Sequence, residues 1–295
     1  MPDLRDLSRT LKIATVGLLI ISAVSFTANA QLFGNSHSVA SPNTPSTASP
    51  TESEARDELN KGVVAYYSAR YGEAIAHFRR ATELVPWSLL AKRDLAAALQ
   101  QTIDPRREEY LETAQQAIDL YKQVLDSRPR DLDALRNIAE IEFIINRLDD
   151  ARACEKRVLD ADPHDSSADY TIGFLDWTQA TQHALAAMKV AGVTDDHMGN
   201  ARAPAEVMET IKAQNAALVD EALRYLNQAI ALQPDSPQAM ACMYMVYLRK
   251  ADLDWDDEID RKDDLVQAAA WLAKSEAKSK ADEEKRLKEQ ASMRH

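Results

Sequence analysis

With 295 residues and only seven glycines, the chain could hold one large domain or two ordinary ones, yet no segment alternates apolar and polar residues as a half-buried strand must. Ala, Leu, Glu, Gln, Arg and Lys dominate, all strong helix formers, so an all-α fold is expected. A formal net charge of −12 argues against nucleic-acid phosphate as the natural partner and leaves basic or neutral surfaces as the better match.

The N-terminus reads as an export signal. Arg5, Arg9 and Lys12 precede the run Ile13 to Phe26, and Ala28 and Ala30 then give the small-x-small pattern of a cleavage site before Gln31. The run spans 14 residues, short of the ~20 a membrane-spanning helix requires. Residues 1–30 are therefore expected to be a signal peptide cleaved near Ala30–Gln31, with no membrane span left afterwards and an N-terminal anchor as the alternative. Gln31 stands where lipid attachment would need a cysteine. Losing Arg5, Arg9, Lys12, Asp3 and Asp6 makes the mature chain one unit more acidic. Residues 31–54 are rich in Ser, Thr, Pro and Asn, too polar to offset their ordering entropy, and read as a disordered linker.

From residue 55 one cadence recurs four times: an alanine, a bulky residue four positions on, a small one three further, and a proline after another five. The sets are Ala74, Phe78, Ala81, Pro86; Ala117, Tyr121, Val124, Pro129; Ala151, Glu155, Val158, Pro163; and Ala222, Leu226, Ala229, Pro234. Pro129 to Pro163 is 34 residues; Pro86 to Pro129 is nine longer, and Pro163 to Pro234 is 37 longer. Two residues after each proline stands a helix-capping side chain: Ser88, Asp131, Asp165 and Ser236. Gly62, Ala96, Ala139 and Gly173 fall at equivalent places in the first helices, where a small residue lets the paired helix approach. Leu95, Ile138, Ile172 and Met243 supply the apolar knob.

The extra residues of the second repeat lie around "IDPRREEY". Those of the fourth contain a helical "ATQHALAAMKVAG", a polar loop and a long helix from Pro204 through Leu232. Two elongated helices in a protruding hairpin are expected there. A long, charged second helix closes the array, with residues 281–295 as its tail.

The cadence, its period and the "A-x3-F…P" pattern resemble the tetratricopeptide repeat (TPR) family over residues 55–280, divided at about 55–88, 89–131, 132–165, 166–236 and 237–280. The resemblance implies an α-α superhelix of about five stacked hairpins, with a concave groove lined by the first helices. It implies a protein or peptide partner and no cofactor. Groove candidates are Tyr66, Arg93, Arg136, Asn137, Tyr170, Phe174 and Trp177. Val63, Ala97 and Glu140 stand where a clamp for a partner's terminal carboxylate would need amides or cations, so an aromatic groove for a peptide is the better expectation. The same rings could instead pack against the chain's own insertion.

Other chemistry is sparse. Asp252, Asp254, Asp256, Glu258, Asp260 and Asp263 follow calcium-loop spacing, but Asp257 replaces the turn glycine and Asp263 the bidentate glutamate. An acidic turn capping the next helix is the simpler reading, with calcium or small-molecule binding as the alternative function. The six histidines form no metal-ligand spacing, no phosphate loop or nucleophile elbow is present, and no catalytic residue is nominated. Cys154 and Cys242 fall on helices of different repeats and are expected to stay unpaired.

Overall fold

The computed structural model describes residues 49–293, which contain ten α-helices and no strand. The expected signal and residues 31–48 of the expected linker lie outside the described residues. The linker ends earlier than its composition suggests, because α1 already runs from Pro50 to Tyr67. Proline costs nothing in a first turn, Glu52 complements the positive end of the helix, and Glu54 pairs with Arg80 of the next helix.

The helices form five antiparallel hairpins: α1 with α2 (Tyr71–Leu84), α3 (Leu89–Gln100) with α4 (Tyr110–Ser127), α5 (Leu132–Ile144) with α6 (Leu148–Ala161), α7 (Ser166–Val190) with α8 (Ala205–Leu232), and α9 (Pro237–Leu253) with α10 (Glu258–Ser292). Each hairpin packs on the next, so the chain is an all-α solenoid.

Local chemistry sets these boundaries. Ser88, Asp131, Asp165 and Ser236 accept hydrogen bonds from the backbone N–H groups of Ala91, Ala134, Ala168 and Ala239, one helical turn on. These N–H groups would otherwise lack partners at the start of α3, α5, α7 and α9.

The repeated positions are the core. Ala74, Ala117, Ala151 and Ala222 have no exposed surface, and Phe78, Tyr121 and Leu226 fill the bulky slot. Gly62 and Gly173 allow the closest helix approach. A Cβ at Gly173 would lie 2.6 Å from Leu226 and 3.2 Å from the carbonyl of Ala222, and one at Gly62 would strike the Phe78 ring. In the third repeat Glu155 occupies the bulky slot, buried, and burial pushes its carboxyl up to about 8.

The two insertions behave differently. In the second repeat part of the excess becomes a turn, in which Arg106 binds Asp104 through two nitrogens, and the rest lengthens the start of α4. In the fourth, α7 and α8 reach 25 and 28 residues and form the expected long hairpin, with Gly192 at φ 68° just past the end of α7. α10 is one continuous helix of 35 residues, and beyond Ser275 it is almost wholly exposed. No helix among the described residues is long and apolar enough to cross a membrane. Cys154 and Cys242 are free thiols.

Candidate functional site

The first helices α3, α5, α7 and α9 lie along one side of the array and are joined by their side chains. Gln100 of α3 donates to Glu140 of α5 at 2.9 Å and accepts from Tyr121 of α4 at 3.3 Å. Arg136 of α5 donates to Asp165, the cap of α7. Phe143 of α5 meets Phe174 of α7, ring centroids 5.8 Å apart.

From that contact an aromatic strip runs along α7. Tyr170 stacks on Phe174 at 6.2 Å, and Phe174 meets Trp177 at 5.6 Å. Successive ring positions 170, 174 and 177 follow the i, i+4, i+7 spacing that places side chains on one helix face. The three rings are half-buried against a cluster built from Val219, Leu226, Met243 and Val246, with Met245 of α9 alongside. They therefore serve the core of the fourth and fifth hairpins while keeping part of their surface in water.

The polar candidates are engaged within the chain. Arg93 reaches the buried Asp94 at 3.4 Å, and Arg136 is held by Asp165. Asn137 is buried and donates to the Asp133 carbonyl one turn back. Tyr66 is buried among Tyr67 and Tyr71, and burial raises its phenol well above the ordinary range. The seven candidates thus separate into a ring strip on α7, the buried ring of Tyr66, and polar groups engaged within the chain, of which Arg136 ties α5 to the cap of α7.

Phe143 was not among the sequence candidates, although its signal was present. A shift of one 34-residue period carries it onto Trp177, just as it carries Arg136 onto Tyr170 and Glu140 onto Phe174. The bulk of Phe143 at a groove position is legible once the register is written out.

The acidic segment 252–263 is mostly helix. Asp252 is buried in α9 against Arg249, Asp254 accepts from Lys250, and Asp256 lies 3.9 Å from Lys212. Asp257 caps α10 by accepting from Ile259 and Asp260, and Asp260 and Asp263 sit exposed on that helix. These carboxylates spread along two helix ends and do not converge as loop ligands would.

Comparison with known proteins agrees with this architecture. A tetratricopeptide-repeat family model matches residues 107–166. The solved structure of MamA protein is 13% identical with a TM-score of 0.52, covering 78% of this chain and 94% of that one. MamA 41-end from Desulfovibrio magneticus RS-1 is 15% identical with a TM-score of 0.52, covering 77% and 96%. Likenesses at this identity bear on the fold alone. No curated protein matches. The tetratricopeptide-repeat match thus falls on α4–α6, and antiparallel helix hairpins recur on either side of it.

Proposed function

We propose that this chain is an exported interaction scaffold that binds a peptide or protein along its first helices and the long α7/α8 hairpin, without catalysis. The observation that carries this reading is the aromatic strip Phe143, Tyr170, Phe174 and Trp177, which bridges two successive repeats and stays partly open to water. Rings of this kind supply large contact area at low entropy cost, which is why interface anchors are enriched in them. The arginines of the first helices, Arg93 and Arg136, are already bound to Asp94 and Asp165, so apolar contact is what the surface offers. Export rests on the sequence of residues 1–30 and places the protein in the periplasm or outside the cell.

A photo-crosslinking residue at Thr171, beside the strip, tests the reading in the native cell. A reproducible protein adduct is expected there and none from the same residue at Lys122, exposed on α4. Equal labelling at both positions, or none, overturns the groove. Once a partner is captured, Trp177→Ala should weaken it roughly 10- to 100-fold, as truncating an interface anchor does. N-terminal sequencing of exported material should begin at Gln31, and recovery of the intact chain in the cytoplasmic fraction overturns export.

A further inference from the structure

The segment between α7 and α8 is polar in sequence yet docked on the last hairpin. The side chains of Asp195 and Arg249 are each 4% exposed, and Asn200 and Asp252 are buried. Arg249 Nη2 donates to Asp195 Oδ2 at 2.7 Å, and its Nη1 lies 3.0 Å from Asp252 Oδ2. Asn200 stitches the pair together. Its Nδ2 lies 3.0 Å from Asp195 Oδ1 and 2.8 Å from Asp252 Oδ1, while its Oδ1 accepts from the Asp196 backbone N–H.

The backbone is shaped for this docking. His197, Gly199 and Asn200 all have left-handed φ, at 54°, 83° and 49°. Gly199 presses so closely on the last hairpin that a Cβ there would fall 2.7 Å from the carbonyl of Ala251. Under the segment lies an apolar cluster of Ala184, Met188, Met208 and Ile211, packed against Val193 of the segment and Trp255 of the α9–α10 turn.

One guanidinium between two buried carboxylates leaves the centre negative. His197 is the group that can change this. Its Nδ1 stands 3.3 Å from Asp195 Oδ2, the oxygen that Arg249 also holds, and its side chain is half exposed. The charged groups acting on it are Asp195 on its own segment and Arg249 and Asp252 from α9. From α10, Arg261 packs against Gly199 with its guanidinium donating to the Trp255 carbonyl.

We propose that residues 193–203 form a pH-sensitive clasp, which fastens the long α7/α8 hairpin to the end of the array more tightly when His197 is protonated. The imidazolium adds a second cation to a site short of positive charge. The hydrogen bond to Asp195 raises the His197 pKa above its ordinary value. Its contribution is therefore fully present below the ordinary imidazole pKa and is lost as pH rises through the higher, folded one. Burial would raise Asp195, but His197, Arg249 and Asn200 together pull it well below the carboxylate range. Burial pushes Asp252 up to about 6. His197 therefore loses its charge above the ordinary imidazole range, while Asp252 completes its ionisation at the lower end of the window from pH 6.5 to 8.5 and acts in the same direction.

Hydrogen exchange of residues 193–203 in the full chain, corrected for intrinsic rates, reads the clasp directly. Opening should be roughly two- to fivefold more frequent at pH 8.5 than at pH 6.5, the range expected for one half-exposed ion pair. That difference should shrink in His197→Asn, whose side chain tolerates the left-handed backbone, to the small part that Asp252 contributes near pH 6.5. Equal opening at both pH values in the wild type, or the same pH dependence in H197N, overturns the proposal. So does an NMR titration that places His197 at or below the ordinary imidazole value.

Discussion

In α1–α6 each hairpin closes over alanines and large side chains buried at a fixed spacing, whereas the fourth-repeat insertion adds a buried cluster of charges to its apolar contact with the last hairpin. Ala74, Phe78 and Ala81 need only fill space, and apolar contact tolerates small shifts because it has no direction. Arg249 and Asn200 hydrogen-bond Asp195 and Asp252 in turn, and Arg249 meets Asp252 as an ion pair, so each buried charge depends on the position of the others. The regular part can therefore recur with varied sequence. The irregular part has to be specified residue by residue, and a change in protonation there acts on the fastening between hairpins.

The largest test of this contrast is Arg249→Ala. It strands the carboxylates of Asp195 and Asp252 in a buried site, and the loss should be about 3–5 kcal/mol, since removing one partner of a buried ion pair leaves an uncompensated charge. Urea denaturation measures it. A cost under ~1 kcal/mol, typical of an exposed pair, would erase the distinction between the two regions.

Glu155→Leu sharpens the contrast from the other side, because Glu155 is where the regular part breaks its own apolar rule. Its folded pKa of about 8 lies above the ordinary 4.5. The wild type is therefore most favoured below that ordinary value and loses stability as pH rises through the folded one. Leucine in the slot that holds Phe78, Tyr121 and Leu226 should stabilise by about 1–3 kcal/mol at pH 8.5, the usual cost of burying an uncompensated polar group. The gain should shrink toward pH 5, and unfolding curves at the two pH values check this. A gain independent of pH would mean that Glu155 stays in one protonation state.

The smallest effect belongs to the caps. Asp131→Ala frees the Ala134 N–H and should cost about 1 kcal/mol, read as a lowered urea midpoint with an unchanged slope. No loss would mean that α5 is held by its neighbours alone.

The proline-to-proline intervals, the four caps and the recurring alanines are local or periodic, so the chain carries them in plain order. They suffice for the hairpins, their register and the elongation of α7 and α8. The site was only half legible. The rings of α7 announce themselves by spacing, but which polar neighbours remain free for a partner depends on residues far along the chain, such as Asp165 for Arg136. The start of α1 at Pro50, inside the polar stretch, was likewise not legible from composition.

What the sequence determined by itself is the repeated unit, because a helix hairpin that buries one face is written within 34 residues. What only the tertiary structure decided is the meeting of Asp195 and Asn200 with Arg249 and Asp252, separated by about fifty residues. Short-range periodicity encodes apolar stacking, whereas a buried charge is tolerable only beside partners that folding alone brings together.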